Sequence, residues 1–134
     1  MTVKGDKELT IRQMCEAFEV TARALRFYET KELLSPRRDG QRRFYGPRDR
    51  ARLTLILRGK RYGLSLEDIR RLLELYSPAD RGLEQLRAAR DVARARRAAL
   101  VAERDEVVAK IAELDALIAQ GEGWIAEAEA ARAA

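Results

Sequence analysis

Apolar residues in the first third of the chain recur at three- and four-residue steps and predict two short helices. The first apolar run consists of Ile11, Met14, Cys15 and Phe18. Thr10 and Gln13 have the spacing of a capping box, in which each side chain bonds the other residue's free backbone amide. Thr21 is a suitable N-cap for a second helix that reaches about Glu32. Two short helices separated by three or four residues indicate a helix-turn-helix.

A short hairpin is predicted next. Ser35-Pro36 ends the second helix, and Asp39-Gly40 separates two short segments, 36–38 and 42–45. An Asp-Gly pair suits the positive φ angles of a tight hairpin. Pro47 then suits the first turn of a third helix, because its missing amide donor is not needed there.

This third helix is predicted to reach about Arg61. Ser65 and Asp68 repeat the capping spacing and begin a fourth helix, whose apolar stripe ends at Tyr76.

A much longer helix is predicted from Ser77-Pro78 onward. No glycine occurs between Gly82 and Gly121 and no proline follows, which leaves about forty residues to form helix. The apolar residues fit the heptad seam of a coiled coil. Those predicted to pair two chains are Leu83, Leu86, Leu100, Val107, Ile111, Leu114 and Ile118. A helix of about 60 Å, at 1.5 Å per residue, is too long for the small preceding domain to cover, so we favour a second copy as its partner.

Three arginines stand within this seam. Arg90, Arg97 and Arg104 repeat every seven residues at the position that Leu83 occupies. In a parallel homodimer each would face its own copy, which is repulsive, so we predict an antiparallel homodimer. Gly121-Glu122-Gly123 is predicted to break the helix. A short C-terminal helix or tail would follow, able to fold back with Trp124 as its anchor.

Positive charge is concentrated in one part of the chain. The net charge is +5, but residues 20–61 alone hold 13 basic and four acidic residues, a net charge of +9. A short arginine-rich stretch of this kind indicates a polyanion as partner, with a merely solvated basic surface as the alternative.

Composition excludes several other classes. A single cysteine forbids an internal disulfide, and the absence of histidine removes Ser-His and Cys-His nucleophiles and the commonest zinc ligand. No segment has the roughly 20 apolar residues of a membrane span, and the N-terminus has no apolar signal core. We therefore expect a cytoplasmic protein without cofactor, metal, membrane contact or enzymatic activity.

Several motifs, taken in order, resemble the MerR family of bacterial transcription regulators. They are Leu25-Arg26-Phe27-Tyr28-Glu29, Leu33-Leu34-Ser35-Pro36-Arg37-Arg38, Arg43-Phe44-Tyr45, Leu53 with Ile56, and Gly63-Leu64-Ser65-Leu66-Glu67-Asp68-Ile69. The resemblance spans about residues 8–77. It implies a mainly α fold, with a winged helix-turn-helix DNA-binding domain in 1–77, an antiparallel coiled-coil dimerisation helix in 78–120 and a short C-terminal helix or tail in 121–134.

The resemblance also implies a mechanism. The homodimer would bind double-stranded promoter DNA between two elements that are too far apart, where each surplus base pair rotates one element by about 35°. Bending and untwisting this spacer would realign the elements for RNA polymerase, which the regulator reaches only through the DNA.

The candidate DNA-binding residues lie on the second helix and the wing. They are Thr21, Arg23, Arg26, Tyr28, Arg37, Arg38, Arg42, Arg43 and Tyr45. Arg26, Tyr28, Arg43 and Tyr45 match family positions that contact DNA, and Arg23 matches a position that varies base choice. An arginine can bond guanine or clamp a phosphate, and a tyrosine such as Tyr28 can pack in the core while its hydroxyl reaches a phosphate. Weaker candidates on the third helix are Arg48, Arg50, Arg52, Arg58, Lys60 and Arg61.

The effector is unknown. The family's metal and iron–sulfur sensors need cysteines that this chain lacks, and Cys15 is interpreted as a small buried hydrophobe rather than a reactive thiol. The segments 55–61 and 75–78 are similar to those of regulators of acyl-CoA and branched-chain amino-acid breakdown genes. The alternatives are a nucleoid or adaptor protein that binds DNA without sequence choice, a repressor without ligand, and an enzyme.

Overall fold

The computed structural model describes residues 7–134. The described residues form two compact units, 7–91 and Val92–Ala134. The elements in chain order are β1 (Leu9–Thr10), α1 (Ile11–Phe18), α2 (Ala22–Thr30), β2 (Arg37–Asp39), β3 (Arg42–Tyr45), α3 (Pro47–Arg61), α4 (Leu66–Glu74), a 3-10 turn (Pro78–Asp80) and α5 (Leu83–Ala133). The predicted fold class, mainly helical with a small wing and a long C-terminal helix, is confirmed.

Local side-chain bonds begin the helices where the sequence predicts. The Thr10 hydroxyl accepts a bond from the Gln13 amide at 3.2 Å, and the Gln13 side chain accepts one from the Thr10 amide at 2.9 Å. Thr21 caps α2 through one such bond, because its hydroxyl accepts from the Ala24 amide at 3.0 Å and alanine has no side chain to return a bond. Helix α2 ends two residues earlier than predicted, because Glu32 lies beyond its end with a positive φ of 61°.

The wing is a three-stranded antiparallel sheet with the strand order β1-β3-β2. Strand β1 was not predicted, since two residues carry no alternating pattern. The predicted turn is also shifted by one residue. Asp39 pairs with Arg42, so Gly40 and Gln41 form the turn, and Gly40 supplies the positive φ of 61°. Glycine at the first central position is typical of a type II′ turn, in which the second position needs no positive φ.

One apolar core joins the wing to the first four helices. Its fully buried members are Met14, Leu25, Leu33, Leu34, Tyr45, Leu53, Ile56 and Ile69. Cys15, which is predicted to be a small buried hydrophobe, packs against this core but is only half-buried. Helices α3 and α4 approach closely at Gly59, where an added Cβ would lie 2.7 Å from Cγ1 of Ile69.

The long helix differs from its prediction at both ends. It begins at Leu83 rather than at Ser77-Pro78, because Arg81 and Gly82 adopt positive φ angles after the 3-10 turn. The predicted break at Gly121-Glu122-Gly123 is wrong, and so is the fold-back at Trp124, since α5 continues to Ala133. Each glycine costs a helix only about 1 kcal/mol relative to alanine, and the neighbouring alanine, glutamate and leucine residues are strong helix formers.

Within residues 7–134, no helix combines the length and the apolar character that crossing a bilayer requires.

Candidate nucleic-acid interface

Helix α2 turns one polar face outward. Arg23, Arg26, Phe27 and Thr30 are exposed and lie at i, i+3, i+4 and i+7, whereas Leu25 is buried on the opposite side. Neither Arg23 nor Arg26 forms an ion pair with any residue of 7–134. Both guanidinium groups therefore remain available to an anion outside the chain.

Phe27 is a member of this face that sequence reasoning overlooked. Its side chain is 43% exposed, and Nζ of Lys31 lies 5.6 Å from the centre of its ring. The signal was present in the sequence, since Phe27 stands four residues after Arg23 and one after Arg26 on a helix.

Thr21 and Tyr28, the other two candidates on α2, have structural roles. The Thr21 hydroxyl caps the helix. Tyr28 is only 6% exposed, so its ring belongs to the core, and burial raises the pKa of its phenol. The Tyr28 ring is therefore a core aromatic, while contact of its hydroxyl with a phosphate stays a prediction.

Tyr45 does not fit the predicted role in DNA contact. Its side chain is fully buried, and its hydroxyl has no hydrogen-bond partner among the described residues. Burial raises the pKa of Tyr45 to about 12, with a further contribution from the charge of Glu29. The physical reason is strand alternation: the last residue of β3 points its ring into the core, where a phosphate cannot reach it.

The two hairpin strands carry four predicted arginines, Arg37, Arg38, Arg42 and Arg43. Three of them are exposed and Arg43 is half-buried. The guanidinium carbons of Arg37 and Arg42 lie 4.6 Å and 5.1 Å from the centre of the Phe44 ring, a cation–π arrangement that orders both side chains. The Phe44 ring thus helps to hold the guanidinium groups of Arg37 and Arg42 in place on the surface of the wing.

Two carboxylates bind these arginines from the same chain. Glu8 accepts bonds from Arg37, with Nη2 at 2.8 Å, and this hydrogen bond holds the pKa of Glu8 below its usual value. Glu29 on α2 binds both Arg38, at 2.8 Å, and Arg43, at 2.6 Å. The sequence did not reveal these ion pairs, because in sequence analysis Glu8 and Glu29 only lower the net positive charge.

Two of the weaker candidates on α3 serve the fold. Arg52 donates from Nε to the carbonyl of Leu33 at 2.7 Å, and burial lowers the pKa of its guanidinium. Arg50 donates to the carbonyl of Tyr45 at 3.3 Å. Asp49, 6% exposed, accepts a bond from the Ser35 amide at 3.0 Å. Arg52 and Asp49 thus attach α3 to the segment that leaves α2, and Arg50 attaches α3 to the end of β3.

The part of the chain from residue 7 onward contains no group of three or more cysteine, aspartate and glutamate residues placed to hold a metal ion. The functional candidates that the structure brings together are two adjacent basic elements, α2 and the wing.

Comparisons with known proteins agree with this geometry. Two family models match: "MerR HTH family regulatory protein" over residues 9–76 and "MerR, DNA binding" over residues 50–120. The HTH-type transcriptional regulator CueR of Yersinia pestis is 31% identical over 83 residues. That match covers 60% of this chain, and the chain spans only about 60% of the length of this curated relative.

Two solved structures are also similar. HiNmlR, described as a MerR family regulator lacking the sensor domain and bound to promoter DNA, is 26% identical with a TM-score of 0.58. The match covers 75% of this chain and 78% of HiNmlR. A MerR family transcriptional regulator from Bacillus cereus is 25% identical with a TM-score of 0.64, over 81% of this chain and 78% of that one. The matched models, the helix-turn-helix and the basic wing together show that the chain belongs to the MerR family of helix-turn-helix regulatory proteins.

Proposed function

We propose that this protein binds double-stranded promoter DNA as a homodimer and regulates transcription by distorting that DNA. The observation that carries the proposal is the outward face of α2, where Arg23 and Arg26 have no ion-pair partner among residues 7–134, beside a wing with four arginines. An exposed helix fits the major groove, and a basic hairpin fits the adjoining phosphates. A regulator of bacterial promoters acts in the cytoplasm, and we infer that location for this protein.

The residues divide into two roles. Arg23, near the start of α2, reads base edges, because the first turns of a recognition helix enter the groove. Arg26 and the wing arginines bind phosphates, and Phe27 offers an apolar surface beside them. Tyr45 is left out of the DNA-binding set because it is buried.

Dimerisation through α5 rests on its exposed apolar side chains. The seam residues Leu83, Leu86, Leu100, Val107, Ile111, Leu114 and Ile118 are between 40% and 64% exposed in the single chain. So many exposed large aliphatic side chains indicate an unfilled interface. The seam arginines Arg90, Arg97 and Arg104 favour an antiparallel partner for the reason given above, and removing everything after Ser77 is expected to leave a monomer.

The finer mechanism follows the family resemblance. HiNmlR is a relative bound to promoter DNA, which supports a promoter as the target. We infer that the dimer bends and untwists a promoter spacer and so acts on RNA polymerase through the DNA, at a deformation cost of a few kcal/mol. Control of acyl-CoA or branched-chain amino-acid breakdown genes, and a small-molecule effector, remain predictions from the resemblance alone.

Selection from a random duplex pool tests the proposal. The protein should enrich a defined sequence, and Arg26→Ala should weaken binding to it about tenfold at 0.15 M salt and lower the salt dependence, as loss of a phosphate contact does. Arg132→Ala, which removes the same charge from the last turn of α5, is the control. A nucleoid protein would enrich nothing at matched salt, and Arg26→Ala within twofold of the parent would refute the assigned interface.

A further inference from the structure

One carboxylate on α2 binds two strands of the wing, β2 and β3. Oε1 of Glu29 lies 2.6 Å from Nε of Arg43 on β3, and Oε2 lies 2.8 Å from Nη1 of Arg38 on β2. Arg38 and Arg43 are also direct partners in the strand register. Two like charges opposite each other in a sheet repel, so the carboxylate between them stabilises the hairpin where it is electrostatically weakest.

We propose that Glu29 is a positioning residue that fixes the wing against α2 and thereby sets how strongly the protein distinguishes its own site from other DNA. The proposal rests on the proposed function, since it concerns the same interface. Sequence is read by α2 and phosphates are bound by the wing, so the distance between these elements decides whether one protein geometry satisfies both sets of contacts.

The bonding pattern allows Glu29 to keep its contacts while DNA is bound. A guanidinium group has five N–H donors, and Glu29 engages Arg43 through Nε and Arg38 through Nη1. The remaining donors of each arginine can reach phosphates. The Arg43 and Glu29 side chains are only 20% and 22% exposed, so this pair is the more rigid one, while Arg38 is 46% exposed and is the outer member.

The carboxylate also weakens general attraction to DNA. It cancels one positive charge within the basic surface, and each uncancelled charge strengthens binding to any duplex. Removing the charge of Glu29 should therefore have opposite effects on two quantities: affinity for unrelated DNA rises, while the ratio between specific and unrelated affinity falls.

A competing model makes a different prediction. If Glu29 were only an internal substitute for phosphate that must release its arginines, its removal would strengthen specific and unrelated binding alike. The ratio would then stay constant. The affinity ratio, rather than either affinity alone, separates positioning from competition.

The test uses the full-length protein and two duplexes, the sequence that the parent enriches from a random pool and a shuffled duplex of equal composition. For Glu29→Gln we expect two- to threefold tighter binding to the shuffled duplex and a specificity ratio at least fivefold lower. Glu32→Gln is the matched control, because it removes the same charge just beyond α2 from a residue without an arginine partner among residues 7–134. Its ratio should stay within twofold of the parent.

Glu29→Asp supplies a second variant that keeps the charge but draws the carboxylate back by one methylene. It should lower the ratio at least threefold without tightening the binding of shuffled DNA, and it decides the question if Glu29→Gln does not fold. A smaller fall of the ratio in the folded variants, or an equal fall in Glu32→Gln, overturns the positioning role. If the parent enriches no sequence, the proposed function itself fails, whereas enrichment with an unchanged ratio in the variants removes only this inference.

Discussion

The buried hydroxyl of Tyr45 allows a stability prediction that is independent of DNA. Tyr45→Phe keeps the buried ring and removes a hydroxyl that has no hydrogen-bond partner among the described residues. An unsatisfied buried polar group costs about 1–3 kcal/mol, so the free energy of unfolding should rise by about 1 kcal/mol after local relaxation.

The pH dependence enlarges this difference in alkaline solution. The pKa of Tyr45 is about 12 in the folded protein and 10 in its ordinary state. Between these values the unfolded chain loses the proton first, so the stability contributed by the neutral phenol is complete below pH 10 and is lost as the pH rises toward 12. At pH 11 the parent should lose about 1.4 kcal/mol that Tyr45→Phe retains.

Urea unfolding followed by circular dichroism, at pH 8 and pH 11 and at equal protein concentration, measures both effects. Equal concentration matters because the proposed dimerisation would add to the apparent stability. A variant less stable than the parent at pH 8, or a difference that does not widen by pH 11, would refute the assignment of a buried, unsatisfied phenol. DNA affinity of the variant should stay within twofold of the parent, because Tyr45 faces the core.

Three further predictions concern the helices. Gly59→Ala should destabilise the protein by about 1–2 kcal/mol in thermal or urea unfolding, because the new Cβ would overlap Ile69, and equal stability would contradict this packing. Gly121→Ala has open space around its Cβ and should instead stabilise by up to about 1 kcal/mol through helix propensity, so a loss would indicate a close neighbour. Replacing the seam arginines Arg90, Arg97 and Arg104 with leucine should raise the melting temperature. Spin labels at Ala88 in both chains should then report a short distance in addition to the long distance of an antiparallel pair. A single long distance without added stability would mean that these arginines do not set the orientation of the two helices.

Features decided by neighbours in sequence were predictable. The caps at Thr10, Thr21 and Ser65 each join a side chain to an amide three residues away, so spacing alone identifies them. The outward positions of Arg23 and Arg26 follow from helical periodicity once the helix is placed.

Features decided by tertiary contacts were not predictable. The family resemblance predicts that Tyr45 contacts DNA, and a strand of four residues does not reveal that its last side chain lies in the core. The role of Glu29 depends on the distance between α2 and the wing, which cannot be inferred from the spacing of residues in the sequence. The break at Gly121 was predicted from glycine as a single residue, whereas the helix continues because many favourable neighbours outweigh a small local cost.

Strand β1 has a consequence for the order of folding. The hairpin β2-β3 closes a turn of two residues, and isolated hairpins of this kind form in about 1–10 μs. Leu9 pairs with Tyr45, which lies 36 residues later in the chain, so β1 can join the sheet only after α1, α2 and the hairpin have come together. We expect this third strand to dock after the transition state, so that substitutions at Leu9 accelerate unfolding with little change in the refolding rate, which stopped-flow folding kinetics would measure. During synthesis the N-terminal strand therefore remains unpaired until Tyr45 has left the ribosome, and the wing becomes complete only then.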